Sequence, residues 1–176
     1  MKTFLRKIFL SAAALLLATA VHAYDFSVNN GDGMTIQYNI LSASDKTCEV
    51  AGASGTRGVL VIPETVSYSS LTFKVIGINF REFHNRGTIY SVTIPNSITQ
   101  IPAEAFDNFW HLVSVKLPDS LTIIGDGAFY SCDDLTTISI PNTVTYIGKN
   151  AFRGCSKLTS LKLPDGLTCI TENMLS

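Results

Sequence analysis

Apolar side chains return along the second half of the chain at a constant interval of 23 residues. Written from its first residue, the unit runs over 91–113, 114–136 and 137–159, and a partial copy over 160–176 stops at its seventeenth position. The apolar slots are position 2 (Val92, Val115, Ile138, Leu161), 4 (Ile94, Leu117, Ile140, Leu163), 8 (Ile98, Leu121, Val144, Leu167), 11 (Ile101, Ile124, Ile147, Ile170), 16 (Phe106, Phe129, Phe152, then Leu175) and 22 (Leu112, Leu135, Leu158). Alternation across positions 2 and 4 predicts a short strand. Proline at position 5 (Pro95, Pro118, Pro141, Pro164) ends it, because proline has no N–H for a ladder, and the Asn or Asp that follows suits a turn. A second short extended piece carries positions 8 to 11, and the segment closing on Ala-Phe predicts a single helical or 3₁₀ turn. Self-similarity at this period is the signature of a solenoid, whose coils bury too little alone and fold by stacking. The expected class is a repeat solenoid, mostly β with short helical or 3₁₀ turns, running from 58 to 176.

Upstream the pattern loosens. Val59-Leu60-Val61-Ile62-Pro63 matches positions 1 to 5, yet Pro63 to Pro95 spans nine residues more than the period, so 59–90 reads as an irregular coil. Placing Val66 at position 8, Ile76 at 11, Phe83 at 16 and Ile89 at 22 puts insertions near Tyr68 to Phe73 and near Asn79. The run Leu71 to Val75 reads either as an outward loop or as a strand that pairs with the segment before it, and the strand is the better fit. Residues 24–57 do not repeat. Phe26 and Val28, then Ile36, Tyr38 and Ile40, then Cys48 and Val50 alternate as strands do, which predicts an N-terminal β-hairpin cap over the end of the stack. The stretch Asn29-Asn30-Gly31-Asp32-Gly33 reads as a turn, since the spaced acidic ligands of a calcium loop are missing.

The phrases SVTIPNSITQI, IGDGAF, TISIPNTVTYIG and NAFRGC resemble the BspA-type leucine-rich repeats of bacterial surface and secreted proteins. The resemblance covers roughly Gly58 to the end. It implies a right-handed stack of coils and, commonly, attachment to host or bacterial surface molecules. No catalytic residues come with the motif.

Residues 1–23 have the form of a secretory signal: Lys2, Arg6 and Lys7, the apolar run Ile8 to Ala20, then Val21-His22-Ala23 before Tyr24. The run is short for a bilayer span, so no transmembrane segment is expected after its removal. The expected location is secreted, at a bacterial cell surface or in the periplasm. The full chain has a net charge of −1, and loss of the leader's cations makes the remainder more acidic. With no basic run, nucleic acid is not an expected partner.

Candidate chemistry is sparse. Cys132 and Cys155 share position 19 of adjacent units, and Phe109 holds that position in the first, so buried free thiols are expected ahead of a bridge. Cys48 and Cys169 have no assignable partner, and no Cys-x-x-Cys pair suggests a metal. His84 beside Asp107 reads as a solvated surface pair rather than a catalytic acid and base. No catalytic, cofactor-binding or metal-ligating residue is expected, no cofactor is implied, and the chain does not read as an enzyme.

Contacts with a protein or glycan ligand are assigned to residues outside the core slots: Trp110, Tyr130 and Tyr146, with Lys116 and Lys162 on the outward strand face. The alternative is that Trp110 and Phe109 cover the end of the aromatic layer. The expected function is a non-catalytic binding or adhesion module; a structural spacer or fragment of a longer surface protein is the rival reading. Leu175 in the aromatic slot suggests an uncapped last coil and weak end-to-end pairing with a second copy.

Overall fold

Two parallel ladders carry the repeats, and from residue 91 onward each joins residues 23 apart. In the computed structural model, which describes residues 24–30, 33–55, 58–80 and 86–171, with the backbone alone at 169 and 170, strands β4 (Gly58–Val61), β7 (Ile89–Thr93), β9 (Ser114–Lys116) and β11 (Thr137–Ile138) form one sheet in the order β11-β9-β7-β4. Ser91 pairs with Ser114 and Thr137 with Ser114, all parallel. A second sheet, β13-β12-β10-β8, is built from β8 (Gln100–Ile101), β10 (Ile123–Ile124), β12 (Tyr146–Ile147) and β13 (Cys169–Ile170). There Ile101, Ile124, Ile147 and Ile170 follow one another in register. The leader segment, Phe83, His84 and Leu175 lie outside the described residues.

The proline that ends each first strand also opens the corner between the sheets. The carbonyls of Pro95, Pro118, Pro141 and Pro164 accept from the N–H groups of Ile98, Leu121, Val144 and Leu167 at 3.1–3.2 Å, closing the same β-turn in every coil. Threonine follows at position 9, and the hydroxyls of Thr122, Thr145 and Thr168 each donate to the carbonyl of the threonine one coil earlier at 3.0, 3.4 and 2.9 Å. Carbonyls at the corner are thereby satisfied without a strand.

The segment around Ala-Phe corrects the expectation of a helical turn. It is a run of tight turns in which Glu104, Gly127 and Asn150 at one position, and Asn108, Ser131 and Gly154 at another, hold left-handed φ between 52° and 79°. A helix cannot continue through such residues. The zigzag aims alternate N–H groups at the next coil: Glu104, Phe106 and Asn108 donate to Asp126, Ala128 and Tyr130 at 2.8–2.9 Å, and Gly127, Phe129 and Ser131 repeat this to Lys149, Ala151 and Arg153 at 2.8 Å. This third ladder runs opposite to the threonine ladder, whose N–H groups donate to the preceding coil. Every side of the coil is therefore hydrogen-bonded to its neighbour, as buried backbone requires.

Inside, the apolar slots line up. Phe129 lies between Phe106 (5.2 Å, 3° between planes) and Phe152 (5.3 Å, 4°), all three buried. Phe80 extends this layer, edge-on to Phe106 at 5.5 Å. Ile76 does not hold the inward slot: it is 40 % exposed, while Ile78 is buried. Phe73 and Val75 face inward, so simple alternation would turn both isoleucines out; the register of strand Thr47–Gly55 against strand Leu71–Ile78 shifts between Cys48 and Glu49, making Ile76 a bulge that returns Ile78 to the core. Val66 is buried too, but opposite Phe73 in a different sheet from the repeat ladders.

That sheet has the order β1-β2-β3-β6-β5, from β1 (Phe26–Asn29), β2 (Met34–Ser42), β3 (Thr47–Gly55), β5 (Thr65–Tyr68) and β6 (Leu71–Ile78). Leu71 to Val75 lies in β6, which pairs with β3 in parallel, so the irregular coil contributes two strands to the N-terminal sheet. The sheet curls until its outer strands β1 and β5 touch, with Phe26 stacked on Tyr68 at 4.5 Å.

Candidate ligand-binding surface

Since apolar slots point inward, each outward position becomes a column read along the stack. The assigned contact residues fall on four columns, with Lys116 and Lys162 sharing position 3. Lys116 is exposed on the strand face, beside a shallow open groove of about 410 Å³ lined by Ser114, Thr137, Ser139 and Asp119. Lys162 is exposed on the fourth coil, where residues 160–162 form no strand. Tyr146 stands on the second sheet, 37 % exposed, and its hydroxyl donates to Asp126 at 3.3 Å. Asp126 also accepts from the Lys149 N–H at 2.8 Å and lines, with half-buried Tyr130, Glu104 and Asp107, an open groove of about 480 Å³ on the turn side. Tyr146 thus bonds to a carboxylate of the groove that Tyr130 also lines. Neither groove includes Trp110 or Lys162.

Trp110 is 45 % exposed and does not close the aromatic layer; buried Phe109 does that, 5.5 Å from Phe106. The indole instead rests on Gly87, the residue at the same position one coil earlier. A Cβ at Gly87 would stand 3.1–3.3 Å from indole Nε1, Cε2 and Cζ2, closer than side chains pack. Tyr90, 40 % exposed, is likewise displaced outward by a bulge, since Gly58 pairs with Ile89 and Val59 with Ser91.

The column next to Trp110 is charged, and reading the sequence for apolar slots alone missed it. His111 Nδ1 lies 3.0 Å from Asp134 Oδ2, and Lys157 Nζ donates to Asp134 Oδ1 at 2.7 Å. These three residues are spaced by 23, so the signal was present in the period. The Lys157 ammonium, then His111, hold the Asp134 carboxyl below its ordinary value of 3.8. A carboxyl lowered by folding adds stability above its unfolded pKa and loses it as pH falls through the folded one. The stability that Asp134 adds over Asp134→Asn is therefore expected to be present above the unfolded carboxyl pKa of about 4 and to be lost as pH falls through the lower folded value; denaturant melts across acid pH check this, and a pH-independent difference would contradict the pairing.

Asp107 is held by Arg86, while His84, expected beside it, lies outside the described residues. Its carboxylate accepts from Arg86 Nη1 at 3.2 Å, and its carbonyl from the same nitrogen at 2.8 Å. Cys132 and Cys155 are buried free thiols, and each donates to the phenylalanine carbonyl of the preceding coil, Phe106 and Phe129, at 3.2 Å. The hydrogen bond it shares with Cys155, together with burial, pushes the Cys132 thiol up and keeps it protonated. Burial pushes Cys48 up to about 11. Among the described residues no group of three or more His, Cys, Asp or Glu side chains could hold a metal, and no helix is long and apolar enough to cross a membrane.

Known proteins share this architecture. A leucine-rich repeat protein from Bacteroides ovatus ATCC 8483 superposes with a TM-score of 0.76 at 29% identity over 86% of this chain and 38% of its own. A leucine rich cell surface protein from Faecalibacterium prausnitzii A2-165 gives 0.67 at 28% over 86% of this chain and 40% of its own, and the Treponema pallidum leucine-rich repeat protein 0.66 at 26% over 76% and 60%. The chain thus spans 38–60% of the length of these structures. No protein with a curated description matches it. Residues 76–176 match the BspA type leucine rich repeat region in six copies. With that match covering more than half the chain and the solved structures sharing its stacked repeats, the protein belongs to the BspA-type leucine-rich repeat family.

Proposed function

We propose that the chain is an exported, cell-surface module that binds a protein or glycan ligand without chemistry of its own. In this reading it is a right-handed stack of 23-residue coils from 58 to 176, capped by the N-terminal sheet and delivered by the leader at 1–23. The observation that carries the proposal is the display of Trp110, Tyr90 and Tyr146 outside a core whose own aromatic slots are already filled. Large apolar groups held in water by a rigid scaffold are what binding surfaces spend stability on. The cell-surface relative from Faecalibacterium prausnitzii is compatible with the location. Tyr130, Lys116 and Lys162 add polar contacts on neighbouring columns.

The test is a survey of matrix proteins and glycans with the whole chain and with a Trp110→Ala, Tyr130→Ala double variant. A ligand whose binding falls at least tenfold in the variant, with an unchanged circular dichroism spectrum, is the expected result. A chain that binds nothing across the survey would favour the spacer reading.

A further inference from the structure

The geometry points to Trp110 as a stacking platform for a neutral carbohydrate. This inference rests on the binding-module reading and names its ligand class. Position 20 holds Gly87, Trp110, Asp133 and Ser156 in successive coils. The glycine lets the indole lie against the backbone of the coil before it, and nearly half of the residue stays in water. Its main chain is fixed by the inter-coil ladder, with the Trp110 carbonyl accepting from the Asp134 N–H at 3.0 Å. The ring is therefore held in place before any ligand arrives, which removes part of the entropic cost of binding.

Polar groups border the ring on the side of the next coils. Asp133 and Ser156 are exposed on its own column, and His111, with its ring 6.4 Å from the indole, leads the column of Asp134 and Lys157. His111 Nδ1 is engaged by Asp134, which leaves Nε2 directed away from that carboxylate. A pyranose offers matching chemistry: a face of polarised C–H groups for the π-surface, and hydroxyls at its rim that donate to carboxylates and to the imidazole Nε2. The charges narrow the class. Asp133 and Asp134 face a single lysine that is already paired with Asp134, so an anionic sugar meets net negative charge. A cationic ligand is best held where several aromatic faces surround it, and here one indole is presented from one side.

Trp110 is the chain's only tryptophan, so intrinsic fluorescence reads this position alone. The whole chain is titrated with neutral gluco-, manno- and N-acetylglucosamine oligosaccharides while emission and iodide quenching are followed. The expected result is a saturable blue shift with protection from iodide for one of these series. Binding of that sugar, followed by calorimetry, is expected to fall at least tenfold in Trp110→Ala and in Gly87→Leu, which keeps the indole but lifts it from its seat, and severalfold in Asp133→Ala. If the survey finds a ligand whose binding survives Trp110→Ala, the platform is overturned and the binding module stands. If Trp110 is needed only for a protein ligand, the carbohydrate assignment is overturned. If the whole chain binds nothing, both readings fail together.

Discussion

Phe129→Ala is expected to lower stability by about 3–5 kcal/mol, visible as a fall in the denaturation midpoint. The ring is buried and lies nearly parallel to Phe106 and Phe152, at 5.2 and 5.3 Å. Truncation removes its burial and both stacking partners, each such pair contributing about 0.5–1.5 kcal/mol beyond area. The hole cannot close easily. Phe106 N–H to Ala128 and Phe129 N–H to Ala151, both 2.8 Å, fix the separation of the coils beside it. An unchanged midpoint in a thermal or urea melt would show that the slot is misassigned.

Gly148→Ala is expected to cost about 3 kcal/mol, at the upper end of overpacking effects. A Cβ there would overlap the Asp126 amide and stand 2.5 Å from the Gly125 carbonyl carbon. Those atoms are backbone, held by the same ladder, so the strain has no flexible side chain to absorb it. Gly125→Ala is expected to behave alike, because its Cβ would fall 2.5 Å from the Ala103 nitrogen. Gly166→Ala serves as the control: its nearest neighbour, the Asn142 carbonyl oxygen, is 3.5 Å away, and the change is expected to stay within about 0.5 kcal/mol. Urea melts of the three variants separate them, and equal stability for Gly148→Ala and Gly166→Ala would contradict the close approach of the coils.

The columns of Val, Ile, Leu and Phe were legible because burial repeats the same demand at the same position in every coil. The proline corner was legible for the same reason. The turn side was not, since the left-handed position is filled by Glu104, Gly127 and Asn150 in turn, and residues that unlike do not announce a shared backbone angle. Ile76 was misplaced because the bulge that exchanges it with Ile78 depends on pairing with β3, a contact between segments distant in sequence. In the candidate surface, the aromatic residues stood out as departures from the repeat. Their support did not: Gly87 matters only through the ring above it, and His111, Asp134 and Lys157 acquire meaning only when polar positions are read as columns as well.

The central claim, that side chains 23 residues apart lie directly over one another, is tested most directly by nuclear Overhauser contacts between phenylalanine rings in a selectively labelled sample. The expected pattern is strong ring-to-ring contact between Phe106 and Phe129 and between Phe129 and Phe152, and none between Phe106 and Phe152, which lie two coils apart at about 10 Å. Rings of Phe129 that contact neither neighbour, or contact between Phe106 and Phe152 across it, would contradict the stacked column and the outward surface built on it.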